Sequence, residues 1–167
     1  MTKPTTAEDA ARGSVDLQQF IDRQGITAEI IPLSEHTATV ADAARVLGVE
    51  TDQIIKSLVF SCGDETLLVI TNGLARVDRK KLAGLLGVGK NKVKFASAQS
   101  ALAITGFVVG SMPPFGHRQR LRTLVDASVM DQAAVFGGGG DINAMMRLSP
   151  TELTRVTAAA VTDLSEA

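Results

Sequence analysis

Apolar residues in this chain come in short runs whose spacing switches repeatedly between the strand and helix periods. Ser14 opens a helix to about Gln24, with Val15, Leu17, Phe20 and Ile21 approximating one apolar face and Gly25 as its stop. Ala28 to Leu33 reads as a short strand, and Pro32 near its end argues for an edge or a terminus. Thr39-Val40-Ala41-Asp42 looks like a capping box for a helix to Leu47, closed by Gly48. Ile54 to Cys62, the turn Gly63-Asp64-Glu65 and Thr66 to Thr71 make a hairpin.

Asp78 caps a helix through Leu86, with Leu82, Leu85 and Leu86 inward, and Val93 to Ala96 is a short strand. Ser97 caps a helix to about Ile104 that Gly106 ends, and Phe107 to Val109 reads as an apolar strand closed by Gly110. Leu121–Asp126, Ala133–Phe136 and Ala144–Leu148 are further strands, with a turn around Ser128 to Asp131. Ser149-Pro150-Thr151-Glu152 starts a last helix, with a cap, proline at the first helical position and glutamate three after the cap. That helix runs to about Ala160, and the tail beyond is expected to fray. Strands interleaved with helices and hairpins predict an α+β fold, a single domain with a central mixed β-sheet surrounded by helices. The domain is expected to span 14–161, behind a flexible tail of residues 1–13.

Composition narrows the chemistry. The net charge of −1 gives no global field for nucleic acid, so any such site rests on local clusters. One cysteine, Cys62, allows no internal disulfide or cysteine-rich metal site, and two histidines are too few for a histidine-rich one. No metal and no cofactor is expected. No apolar run reaches membrane-spanning length and Met1 to Gly13 holds no apolar stretch, so a cytoplasmic protein with no membrane partner is expected. With neither Trp nor Tyr, base stacking would fall to Phe or Arg.

The densest signal is Gly106 to His117, with three glycines and the pair Pro113-Pro114. The prolines stiffen the loop, and its remaining N–H groups, above all those of Ser111 and Met112, could serve an oxyanion; a tight connection between strands is the plain alternative. Lys56 is the second signal, a charge in the apolar run Ile54 to Phe60, aligned by alternation with Ile54 and Leu58; it either snorkels or serves a cleft. Gly137 to Gly140 follows a strand, lacks the lysine of a phosphate loop, and permits close backbone approach to a substrate or forms a hairpin tip. His117 and His36 are candidate substrate contacts, Asp126 a strand-end cap or site residue, and Cys62 a packing residue. Lys90, Lys92, Lys94 and Arg118, Arg120, Arg122 alternate at period two, so each trio would share one face if extended, as a solvated face or a set of phosphate contacts.

Ile54-Ile55-Lys56-Ser57-Leu58-Val59, the loop from Thr105 to Gly116, and Gly137-Gly138-Gly139 before the Leu148-Ser149-Pro150-Thr151-Glu152-Leu153 helix occur in that order and spacing. From about Asp16 to Val156 the chain resembles the YbaK/EbsC family of aminoacyl-tRNA editing domains, related to the insertion domain of bacterial prolyl-tRNA synthetase. The resemblance implies a trans-editing hydrolase that deacylates a small amino acid, alanine or cysteine, from tRNA-Pro or a related tRNA. By position it implies Lys56 and the glycine loop at Gly110 and its neighbours Ser111 and Met112, with Gly138 as the second glycine motif; Lys56, Gly110 and Ser111 are the expected catalytic residues, Met112, Gly138, Gly137, His117 and His36 the expected substrate contacts, and an aminoacyl-tRNA synthetase a further expected partner. Ser34 stands where members acting on cysteinyl-tRNA carry tyrosine, and Gly137 where they carry serine, so both amino acids stay open. Arg118, Arg120, Arg122 and Lys92 are the expected tRNA contacts. An ester is already reactive, so positioned water and backbone N–H donors suffice without a protein nucleophile. A non-catalytic tRNA-binding or partner-binding module and a hydrolase of small non-tRNA esters are the competing functions.

Overall fold

The computed structural model describes residues 11–167. Among them the elements run α1 (Ser14–Gln24), β1 (Ala28–Pro32), α2 (Val40–Leu47), β2 (Ile55–Cys62), β3 (Glu65–Asn72), α3 (Arg79–Leu86), β4 (Val93–Phe95) and α4 (Ala98–Thr105). There follow β5 (Arg122–Asp126), β6 (Val135–Gly138), β7 (Ala144–Leu148), α5 (Pro150–Thr157) and β8 (Ala160–Thr162). Short 3-10 turns occupy Thr51–Gln53, Lys90–Lys92 and Ala127–Asp131. Four of the expected caps form, Thr39, Asp78, Ser97 and Ser149 each accepting a backbone N–H at the start of their helices, but Ser14 does not cap α1: Gly13 takes the cap position and the Ser14 hydroxyl donates to Asp141 at 2.5 Å.

The mixed α/β domain holds two sheets where one central sheet was expected. Strands β1-β7-β6 form an antiparallel three-stranded sheet, and β4-β2-β3-β5-β8 a five-stranded one in which β3–β5 and β5–β8 are parallel. A parallel bridge between Ile54 and Phe136 joins them. Strand β3 explains the arrangement. Leu67, Leu68, Val69 and Ile70 are all fully buried, an unbroken apolar run suited to a strand covered on both faces. Leu68 and Ile70 enter the larger core with Leu17, Phe107 and Met146, while Leu67 and Val69 pack on the other face with Phe60, Leu82 and Leu164.

Three expectations are corrected. The tail beyond α5 does not fray: Ala158 turns the chain at φ 53°, β8 pairs with β5, and Leu164 is fully buried. Asp126 holds it there, accepting the Leu164 N–H at 2.7 Å and the Ser128 N–H at 3.2 Å, as well as the Ser128 hydroxyl. Phe107 to Val109 is a turn, because Gly106 reverses the chain at φ 86° and the Thr105 hydroxyl captures the Phe107 N–H at 3.1 Å. At the other end, the tail expectation falls mostly on residues outside those described, but Arg12 is tied down, its N–H donating to Gly106 O at 2.6 Å.

The glycine run at the end of β6 is a packing device. A Cβ on Gly138 would lie 2.2 Å from the Met112 carbonyl oxygen and 2.8 Å from that of Ser111. One on Gly139 would meet the Ala144 backbone at 2.6 Å, and one on Gly140 the Gly13 backbone at 2.8 Å. The close approach that these glycines allow is therefore to the chain's own backbone, chiefly that of the 106–117 loop.

Two outcomes follow from these contacts. Gly138→Ala should push the loop off β6 and cost about 1–3 kcal/mol in denaturant unfolding, as for overpacked cores. Burial pushes the Asp126 carboxyl up, but the hydrogen bonds from Ser128 and Leu164 outweigh it and hold its pKa below the ordinary value. Its stabilisation is thus complete above the unfolded carboxylate range and is lost as pH falls through the lower folded value. Asp126→Asn should cost about 1–3 kcal/mol at neutral pH. It should also flatten the stability–pH curve below about pH 4, measured by thermal unfolding across pH.

Candidate active site

A cavity of about 530 Å³ opens along one edge of β2. Strand β3 pairs with the whole of β2 on the other edge, but β4 pairs only with Phe60 to Cys62. No strand among the described residues covers the Ile55–Leu58 part of the edge. Strand β4 then leaves, its successor Ala96 donating its N–H to Val59 O at 2.9 Å. The space is walled by Gly110 and Met112 of the glycine loop, Gly138 of β6, Met145 of β7, Thr37 and Val40 at the entry to α2.

Lys56 lines this cavity together with Gly110, Met112 and Gly138, so four residues singled out from the sequence converge. On β2 it shares its face with Leu58 and Phe60. Ile54, its expected alternation partner, lies before the strand and packs with Ala43, Ala44 and Phe136. Lys56 forms no ion pair or hydrogen bond among the described residues, and burial first, then the nearby Arg76 cation, lower its pKa from 10.5. An amine so placed gains from any anion that enters. Beside it the Ser57 hydroxyl is buried, has no partner and lines the same cavity. Ser57 was legible only as a neighbour of Lys56, since an isolated serine in a strand carries no signal of its own.

Of the two expected oxyanion donors, one is already engaged. The Ser111 N–H, an expected oxyanion donor, is engaged with Val108 O at 3.1 Å, and its hydroxyl donates to the same oxygen at 3.0 Å. Ser111 is fully buried and its own carbonyl accepts the Gly140 N–H at 3.1 Å, so it braces the turn. The Met112 N–H has no partner among the described residues. Gly110 sits at φ 98°, with no atom within 4 Å of the position a Cβ would take. A methyl there would meet open cavity, and its strain would come from φ.

The remaining predicted residues lie elsewhere. Gly137 packs on Ile55, which a Cβ would approach to 3.2 Å, and it does not line the cavity. His36 is exposed and donates from Nδ1 to Ile142 O at 2.8 Å, clamping the loop before α2 to the tip of the β6–β7 hairpin. His117 donates from Nε2 to Pro113 O at 2.8 Å across the far side of the glycine loop. Burial lowers its pKa first, with Arg12 adding to that and the Pro113 bond opposing it, so it is a neutral brace. It lines a second cavity of about 360 Å³ with Arg120 and Arg155, away from Lys56.

Neither basic trio forms one extended face. Lys90 and Lys92 lie in a 3-10 turn and only Lys94 in β4, while Arg118 and Arg120 precede β5 and only Arg122 lies within it. Arg122 pairs with Glu65 at 3.3 Å. The sequence reading also passed over Phe95, whose side chain lines the mouth of the main cavity and is 55% exposed. Its signal was available, as an aromatic residue next to a lysine in a short strand.

The profile of the aminoacyl-tRNA editing domain matches residues 34–156. The chain is 32% identical over 127 residues to YwhH, an uncharacterized protein of Bacillus subtilis, covering 75% of this chain and 79% of that one. It is 32% identical over 91 residues to the proline–tRNA ligase of Ligilactobacillus salivarius, covering 54% of this chain but only 16% of the ligase. Among solved structures, one described as a candidate trans-editing enzyme for prolyl-tRNA synthetase superposes with a TM-score of 0.86 at 29% identity, covering all of both chains. A scaffold used to present grafted linear epitopes superposes with a TM-score of 0.85 at 28% identity over 99% of both. This protein, with its lysine-bearing strand edge and glycine-loop cavity, belongs to the aminoacyl-tRNA editing domain family.

Proposed function

We propose that the protein is a trans-acting deacylase that hydrolyses the ester between a small amino acid, alanine or cysteine, and the 3′ end of a mischarged tRNA. The observation that carries this reading is one cavity lined by Lys56, which forms no ion pair among the described residues, by Ser57, whose hydroxyl is buried without a partner, and by Gly110 and Met112 of the glycine loop. Buried polar groups are ordinarily paired, so an unpartnered Ser57 hydroxyl in a cavity that also holds a lysine fits a polar ligand that supplies the missing partner. The family match and the full-length similarity to a candidate trans-editing enzyme support the same substrate class.

The chemistry follows from those groups. Water, oriented by the Ser57 hydroxyl, attacks the ester carbonyl carbon. Negative charge gathers on the carbonyl oxygen, where the Met112 N–H donates to it; one such donor is worth about 3–4 kcal/mol. The carbon–oxygen bond to the ribose then breaks, the ribose oxygen takes up the proton released from water, and the amino acid leaves as the free acid. Lys56 holds a phosphate beside the ester and so fixes the carbonyl against the donor. Such a second pocket has a clear use, since a synthetase rejects a substrate smaller by one methylene by only about 1–3 kcal/mol. Arg118, Arg120, Arg122 and Lys92 lie outside the cavity, and in this reading they touch the tRNA body. A synthetase that delivers the mischarged tRNA is the further partner.

Lys56→Met should lower kcat/KM at least about 100-fold on whichever mischarged tRNA in a deacylation panel the wild type hydrolyses. Its melting temperature should equal or exceed that of the wild type. A lysine whose folded pKa is depressed destabilises the fold while it is charged, so removing the charge relieves that penalty at neutral pH. Full activity in the folded variant would sink this reading. For the basic residues the readout is salt. Replacing Arg118, Arg120 and Arg122 by alanine should flatten the plot of log affinity for tRNA against log salt by about 2 to 3 units, and an unchanged slope would remove them from the interface.

A further inference from the structure

The surface beside Lys56 carries a feature that ester hydrolysis leaves unexplained. Phe95 keeps 55% of its surface exposed, whereas Phe60, Phe107, Phe115 and Phe136 are buried and Phe20 is half-buried. The chain has no Trp or Tyr, and Phe95 is the one phenylalanine left exposed. It stands at the cavity mouth, opposite Val109 and Ile142, which are 63% and 54% exposed. The large apolar side chains left open on this side thus ring the cavity entrance, where a bound ligand would cover them.

The ring is held for use as a flat surface. Phe95 is in register with Phe60, and the two rings lie 4.5 Å apart at 30°. The Arg79 guanidinium lies over the Phe95 ring, 5.6 Å from its centroid, so a base would stack against the ring beside this cation or in its place. The fully buried Phe60 behind it restricts its rotamers, so little side-chain freedom is left to lose on binding. Phe95 also shares its sheet face with Leu58 and Lys56, because Phe60, Leu58 and Lys56 alternate along β2. From Lys56 to the residue paired with Phe95 is four strand positions, about 13 Å of backbone. One face of the open edge therefore presents a cation at one end, an apolar floor at Leu58, and an exposed aromatic ring flanked by a second cation at the other.

That order matches one nucleotide. A phosphate needs the ammonium, and an unpaired base needs an aromatic face, which every base can use. We propose that Phe95 is the stacking platform for the base of the terminal nucleotide that carries the ester, with Lys56 on its phosphate. Phe95 is a binding residue that sets where the acceptor end stops, and it takes no part in bond breaking. This assignment rests on the deacylase reading for its substrate, but not for its geometry. A peptide or protein edge would have used the unpaired β2 backbone and would have had no need of the lysine and the ring at opposite ends.

Adenosine 5′-monophosphate, the terminal nucleotide of tRNA without its acyl group, is the probe. Its affinity is measured by calorimetric or ligand-observed NMR titration of the full chain, with melting temperatures taken on the same samples. Phe95→Leu, which still covers Phe60, should weaken binding about tenfold or more, and Phe95→Trp should restore it. With the mischarged tRNA that the wild type hydrolyses, Phe95→Leu should raise KM by about the same factor and leave kcat within about twofold. Hydrolysis of the methyl ester of the same amino acid, which has no base, should be unaffected. Equal nucleotide binding by wild type and Phe95→Leu, or no binding by either, overturns the platform and leaves the deacylase reading standing. Nucleotide binding that depends on an aromatic residue at 95, in a protein that deacylates no tRNA, upholds the platform and removes the deacylase reading.

Discussion

The structure turns on an unequal demand on β2. One edge pairs with β3 over its full length, and the other is covered by β4 only at its last three residues. Had β4 run further back, the edge would have been closed and no cavity would exist. It stops because the chain turns into α4 after Phe95, with Ser97 capping that helix through the Ser100 N–H. The uncovered stretch of β2 then faces a loop, a hairpin and a helix entry in place of a strand. An exposed edge is ordinarily a liability that proteins blunt with charge, and Lys56 sits on this one. In the proposed reaction the same residue also holds the substrate phosphate.

The glycine loop and the glycine run act as a single unit. The loop can sit beside β2 only because Gly138 lets the Met112 carbonyl approach, and the Gly140 N–H then binds the Ser111 carbonyl. Three internal bonds, from the Ser111 N–H, the Ser111 hydroxyl and the His117 ring, brace the turn from both ends. What is left at the cavity is the open φ-positive corner at Gly110 and Met112, whose N–H has no partner among the described residues. A rigid turn with one donor unsatisfied is preorganised in the sense that catalysis requires, since the donor needs no rearrangement when charge develops.

Polar satisfaction separates the site from the scaffold. Asp126, more deeply buried than Lys56 or Ser57, is bonded on both oxygens and ties down the C-terminal strand, so it belongs to the fold. Glu152 is likewise engaged, by Arg155 and by the Thr27 N–H at 2.6 Å, and these bonds hold its pKa at about 2. Lys56 and Ser57 stand apart from both in having no partner. The contrast argues for a bound ligand more directly than exposure or charge alone does.

Local chemistry in the sequence was enough for the helices, their caps and the β2–β3 hairpin. Thr39, Asp78, Ser97 and Ser149 satisfy backbone groups only a few residues away, and a period-two or period-3.6 pattern needs no distant partner to be read. It was also enough to mark Lys56, Gly110, Met112 and Gly138, because a charge in an apolar strand and glycines in stiff loops are local anomalies. Strand β8 was not legible, since three residues, Ala160–Thr162, become a strand only through pairing with β5 and the grip of Asp126 on Leu164. Nor was the second sheet, since strand order depends on contacts more than a hundred residues apart, such as Ala28 with Leu148. The roles of Ser111 and His117 were decided by tertiary structure for the same reason. Whether a donor faces a substrate or its own chain depends on where the backbone turns, and that turn is set by the hairpin that packs on it.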